Sequence, residues 1–79
     1  MRVLFFAQLK DTTGCGSTEL AAPSPLSGDE LWATQLKRFP ALAAHRASTR
    51  LACNGEYATP QTRFADADEV ALIPPVSGG

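Results

Sequence analysis

This 79-residue sequence has no excess of basic residues, no long hydrophobic run and few reactive side chains. Each absence excludes a class of function. The formal net charge is −1 with acids and bases intermixed, so the basic surface that nucleic acid or an anionic membrane requires is missing, and neither is expected as a partner. The first apolar stretch, Val3 to Ala7, is far shorter than a membrane span and lacks the features of a signal peptide, so a cytoplasmic protein is expected. Cys15 and Cys53 lie far apart and form no C-x-x-C, which argues against a redox pair or a zinc half-site and for two free thiols. The single histidine, His45, has no Ser-His-Asp set around it, and no phosphate-binding loop occurs. A chain of this length makes one domain and buries only about 60% of the surface exposed when unfolded. Function is therefore expected on the surface or at an end rather than in a deep pocket.

What is present is a regular succession of elements. From Arg2 to Lys10 the residues divide by period two: Val3, Phe5, Ala7 and Leu9 face one way, with Leu4 and Phe6 on the other side between polar ends. This predicts a strand whose first face enters the core and whose second is covered by a partner. Turn formers fill Asp11 to Gly16, and Ser17 to Ala22 reads as a second strand completing a hairpin. Pro23 and Pro25 interrupt the pattern, and Ser27 with Glu30 three residues later has the spacing of a capping box. The helix that follows places Trp32, Leu36 and Phe39, with Leu31 beside them, on one apolar face. Pro40 ends it or opens a short second turn through His45.

Two strands, Arg50 to Cys53 and Glu56 to Thr59, flank Asn54-Gly55, the strongest short signal for a type I′ hairpin. The continuously apolar Val70 to Ile73 reads as a strand in the middle of a sheet. The order ββαβββ, with one helix to cover one sheet, is satisfied most simply when the last strand pairs beside the first. The expected fold is α+β, a β-grasp with a mixed sheet of roughly four to five strands on one main helix.

Few side chains are candidates for chemistry. His45 follows an alanine-rich turn and reads as a solvated surface histidine, and Cys53 in its apolar run reads as core filler. Asp66, Asp68 and Glu69 form an acidic loop, which as a metal site would need further oxygen ligands from elsewhere. The tail is different. Pro74 and Pro75 stiffen the exit from the last strand into extended backbone, and Gly78 and Gly79 have no Cβ, so they fit a channel too narrow for other residues. From Pro74 through Val76 and Ser77 to Gly79 the tail spans about 20 Å, enough to carry a terminal carboxylate into another protein's active site. Residues 1–75 are thus expected to form the domain and residues 76–79 a flexible tail. An inert stub is the plainer alternative.

The segments Val3-Leu4-Phe5-Phe6-Ala7-Gln8-Leu9, Cys53-Asn54-Gly55-Glu56-Tyr57 and Asp68-Glu69-Val70 through Pro74-Pro75-Val76-Ser77-Gly78-Gly79 resemble the small-subunit family of molybdopterin synthase, ubiquitin-like sulfur carriers. The last is the most specific, since Gly-Gly alone is common to ubiquitin-like proteins. The resemblance implies a β-grasp sulfur carrier in molybdenum cofactor biosynthesis that binds no cofactor itself. Gly79 would be adenylated with ATP by an E1-like adenylyltransferase, converted to a thiocarboxylate by a sulfurtransferase donor, and inserted into the large synthase subunit, in a heterotetramer. That subunit would supply the catalytic side chains and cyclic pyranopterin monophosphate would receive the sulfur. The family commonly has glycine where Ala67 stands, so Ala67 either strains that turn or changes its type. A thiamine-pathway sulfur carrier, a ubiquitin-like protein modifier and a plain interaction domain are the competing readings.

Overall fold

The computed structural model describes Met1 to Pro75. Its strands are β1 (Arg2–Phe5), β2 (Ser17–Glu19), β3 (Arg50–Cys53), β4 (Glu56–Tyr57) and β5 (Glu69–Ile73). Its helices are α1 (Gln8–Thr13) and α2 (Gly28–Arg38), followed by a 3-10 helix over Pro40–Ser48. The strands form one mixed sheet in the order β2-β1-β5-β3-β4. β5 runs parallel to β1, pairing Val3 with Val70 and Phe5 with Leu72, and antiparallel to β3. The last strand therefore lies beside the first, and the sheet on one main helix is the expected β-grasp.

Helix α2 begins as its sequence dictates. Ser27 accepts a hydrogen bond from the Glu30 N–H while the Glu30 carboxylate accepts one from the Ser27 N–H. These reciprocal bonds satisfy donors that a helix start leaves open. They also hold the Glu30 carboxyl below its ordinary range, with Arg63 lowering it further. The helix buries Leu31, Trp32 and Gln35 against the inner sheet face, while Leu36 and Phe39 are half-buried at its margin. The apolar stripe is thus centred nearer Leu31 than the spacing of Trp32, Leu36 and Phe39 suggests. Phe39 still meets the edge of the Phe5 ring, with centroids 5.4 Å apart. Leu42 from the 3-10 helix and Phe64 from the long loop complete the core with Val3, Phe5, Leu9, Val70 and Leu72.

The first strand departs from expectation. It ends at Phe5 instead of Lys10, and the chain turns into α1 through Phe6-Ala7-Gln8-Leu9, closed by the Leu9 N–H donating to the Phe6 carbonyl. Ala7 adopts φ 49°, ψ −128°, the first central position of a type II′ turn and a conformation natural to glycine. Consequently Ala7 is exposed rather than turned into the core, whereas Leu9 is still fully buried. The physical reason is that Leu9 lies four residues after Phe5, a separation that returns to the same side in a helix as well as in a strand. Asp11 to Thr13 likewise finish α1 instead of opening a loop, and Gly14 caps it at φ 78°. The second strand is shorter than expected, stopping at Glu19, but pairs with β1 as the hairpin reading requires.

Candidate functional site: the outer face of the sheet

Strand alternation divides every element of the sheet between two faces. Val3, Phe5, Val70 and Leu72 point to the core, so Leu4, Ala71 and Ile73 point outward. The register of β3 on β5, Arg50 opposite Ile73 and Ala52 opposite Ala71, places Arg50 and Ala52 on that same outer face. Tyr57 of β4 lies opposite Ala52 and joins them. The result is a shallow groove of about 340 Å³ lined by Leu4, Phe6, Ala52, Gly55, Tyr57, Glu69, Ala71 and Ile73.

Two large apolar side chains stand open there: Phe6 is 46% exposed and Tyr57 58% exposed. A mostly apolar concavity rimmed by exposed aromatic rings is the kind of surface that proteins cover with a partner. Leu4 and Phe6, singled out from the sequence, are both in it. Ala52, Tyr57, Ala71 and Ile73 are not evident from the sequence, because their common face depends on the register between strands distant in the chain. The unbroken apolar run of β5 could have signalled Ala71 and Ile73, yet it reads equally well as a strand buried on both sides.

Because β1 and β5 are parallel, Phe6 and Ile73 mark the same end of the groove, and at that end the chain leaves β5 through Pro74, which is buried, and Pro75, which is exposed. Val76, Ser77, Gly78 and Gly79 lie outside the described residues.

The remaining candidates have structural work. The Asp66 carboxylate accepts the Ala22 N–H and faces the N-terminal ammonium at 3.5 Å, and both interactions lower its pKa from the ordinary value. Asp68 accepts the Ala65 N–H and the Asn54 amide, which hold its carboxyl low as well. These bonds tie the acidic loop to the Asn54-Gly55 hairpin, whose φ values of 51° and 88° are those of a type I′ turn. Ala67 carries no positive φ, so the loop has adopted a turn that alanine accepts. No cluster of three or more metal-ligating side chains occurs among the described residues.

His45 is half-buried instead of fully solvated, its Nε2 3.2 Å from Thr12 Oγ1 on α1. Cys53 and Cys15 are free and pack at the margin of the core, and burial together with the nearby Asp68 charge raises the Cys53 thiol. A raised thiol is a poor nucleophile at neutral pH.

With this geometry the chain matches the ThiS family over residues 3–79. The chain belongs to the ThiS family. Among curated relatives, the molybdopterin synthase sulfur carrier subunit of Escherichia coli is 37% identical over 81 residues, an alignment covering 100% of this chain and 99% of that protein. Among solved structures, the small archaeal modifier protein 1 of Haloferax volcanii superposes with a TM-score of 0.85 at 27% identity, covering 100% and 98% of the two chains. A chain from the complex of subunits 1 and 2 of the molybdopterin-converting factor of Helicobacter pylori superposes with a TM-score of 0.71 at 26% identity, covering 99% and 96%. The ThiS-family fold is thus the ubiquitin-like β-grasp described above. No helix among the described residues is long and apolar enough to cross a membrane.

Proposed function

We propose that this ThiS-family chain is the sulfur carrier subunit of a molybdopterin synthase, working in the cytoplasm with Gly79 as the residue that bears the sulfur. The observation that carries the reading is the placement of the apolar outer face against the exit of β5. A large synthase subunit seated on Leu4 and Phe6 meets the chain where Pro74 and Pro75 lead toward Gly79. The end-to-end match to molybdopterin synthase sulfur carrier subunits supports the same reading, as does the two-subunit complex of the Helicobacter pylori relative.

The chemistry follows from the terminal carboxylate. With a pKa of about 3.3 to 3.7 it is ionised at neutral pH and a poor electrophile. Activation requires ATP: an adenylating partner joins the carboxylate to AMP and releases pyrophosphate, and a sulfur donor then displaces AMP to leave a thiocarboxylate. The thiocarboxylate sulfur is a soft nucleophile, as thiolates are. In the large subunit the sulfur bonds to a carbon of cyclic pyranopterin monophosphate, and water then cleaves the acyl C–S bond, leaving the sulfur for the dithiolene of molybdopterin and restoring the Gly79 carboxylate. This chain contributes binding and delivery, and the catalytic side chains belong to the partner.

Intact-mass analysis of protein made in cells with the pathway present is expected to show a form heavier by the difference between sulfur and oxygen, located on Gly79. An unmodified mass alone would overturn the reading. Deleting Gly79 withdraws the carboxylate by one residue, about 3.5 Å, where misplacement by 1 Å costs on the order of 100-fold in rate. Molybdopterin formation should therefore be lost, as it should when a residue is added after Gly79.

A second reading, attachment to target lysines as a protein modifier, is favoured by the name of the Haloferax volcanii neighbour. Blots for high-mass adducts distinguish the two, since a pure sulfur carrier forms few.

A further inference from the structure

The outer face is not uniformly apolar. At the end remote from the chain's exit, Arg2 pairs with Glu19 at 3.4 Å and Glu69 lies beside them, so that end is net acidic. At the exit end the only charge carried by the strands is Arg50, opposite Ile73. The guanidinium lies over the Tyr57 ring, 4.5 Å from its centroid.

Arg50 differs from the other arginines. Arg2 and Arg46 donate to the carboxylates of Glu19 and Asp29, Arg63 approaches Glu30 at 3.9 Å, and Arg38 donates to the Glu19 carbonyl. Among the described residues nothing accepts from Arg50. Stacking on an aromatic face fixes the plane of a guanidinium while leaving its edge open, and that edge matches a carboxylate bidentately. An exposed arginine free of internal partners but held in one orientation is prepared for an anion from outside. Its position beside Ile73 sets where that anion must be.

We infer that Arg50, held by Tyr57, is the polar guide of the docking face and pairs with a carboxylate on the large synthase subunit at the mouth of the channel that receives residues 76–79. The inference rests on the sulfur-carrier reading above and names the charge that the partner must present. The apolar groove supplies contact area with little directional preference, whereas one cation at the exit end and a net acid at the other distinguish the correct orientation from its reverse. Tyr57 is a positioning residue in this arrangement.

The test is binding of the full-length carrier to the large synthase subunit of the same organism, measured at low and high ionic strength with a melting curve for each variant. Arg50→Gln is expected to weaken binding about tenfold at low salt and to flatten the salt dependence, with the melting temperature unchanged. Arg50→Lys should recover only part of the affinity, because an ammonium lacks the planar fork. Tyr57→Leu, which keeps apolar contact but removes the stacking surface, should lower affinity and leave a salt dependence. Phe6→Asp serves as the reference for the docking face itself.

If Phe6→Asp blocks binding while Arg50→Gln binds like wild type with the same salt dependence, the guide role is overturned and the carrier reading stands. If the unaltered carrier fails to bind the large subunit, the carrier reading falls and the inference with it. An Arg50→Gln effect that disappears in protein lacking residues 76–79 would also overturn the inference, since the guanidinium would then serve the chain's own terminus.

Discussion

The two faces of the sheet are made from the same strands and are both largely apolar, yet only one is closed. On the inner face Val3, Val70 and Leu72 are fully buried and Phe5 nearly so, sealed by α2 and the 3-10 helix. On the outer face their immediate neighbours Leu4, Ala71 and Ile73 are only half-buried, and Phe6 and Tyr57 stand open. A sheet with one solvated face normally alternates apolar and polar residues. β5 does not, since Ala71 and Ile73 make its second face apolar as well. The inner face is apolar for folding, and on the sulfur-carrier reading proposed above the outer face is apolar for a partner.

Substitutions that break this contrast should produce different losses on the two sides. The largest is expected from Leu72→Ala, which empties a fully buried site in the core and should cost about 2 to 5 kcal/mol in urea or thermal unfolding. A change below about 1 kcal/mol would mean that the core is not concentrated on this face. Next is Phe6→Asp on the outer face. Its ring is already half in water, so unfolding should shift by only about 0.5 kcal/mol, while binding to a large synthase subunit should weaken at least tenfold, on the order of a hot-spot loss. Unfolding by this variant would show that the outer face holds the fold together after all.

Local chemistry explains which parts of this contrast can be read from the sequence alone. The capping box at Ser27 and Glu30 and the Asn54-Gly55 turn are each specified by adjacent residues whose preferences no tertiary contact opposes, and both form as their sequences predict. The central place of β5 follows from its unbroken apolar run. Helix α1 does not announce itself, since Leu9 is its only buried residue and its burial satisfies strand and helix alike. Arg50 and Tyr57 become neighbours only through the register of β3 with β4 and β5, which depends on pairings across the whole chain. Leu4 and Phe6 were legible as an outward apolar pair, but the rest of the face needed the assembled sheet.

A smaller effect sharpens how the two faces meet. Ala7 is the hinge at which the chain leaves β1, placing Phe6 on the outer face and Leu9 in the core, and it does so at φ 49°. Alanine in this region is strained where glycine is not. Ala7→Gly should therefore raise stability by about 1 kcal/mol, a relief larger than the backbone entropy that glycine adds to the unfolded chain. A lower melting temperature would show that the turn carries no such strain.

The smallest expected effect lies in the acidic loop that braces the end of the sheet away from the chain's exit. The Asp66 carboxyl is lowered chiefly by the Ala22 N–H and then by the N-terminal ammonium, and the Asp68 carboxyl chiefly by the Ala65 N–H and then by Asn54. A carboxyl whose folded pKa lies below its unfolded value, about 3.9, lends stability that is fully present above that value and is lost as pH falls through the folded pKa. Asp66 is exposed and Asp68 only half-buried, so screening keeps each contribution modest. The expected outcome is that Asp66→Asn together with Asp68→Asn changes the melting temperature little at pH 7 relative to the change at Leu72, since an amide oxygen can still accept from Ala22 and Ala65 and the one bond given up, from the Asn54 amide, is exposed. Below the ordinary carboxylate range the wild type should lose stability more steeply than the double variant, and the two curves should converge. Melting temperatures followed from pH 7 downward check this, and parallel curves would show that the loop's hydrogen bonds do not distinguish the charged carboxyl from the neutral one.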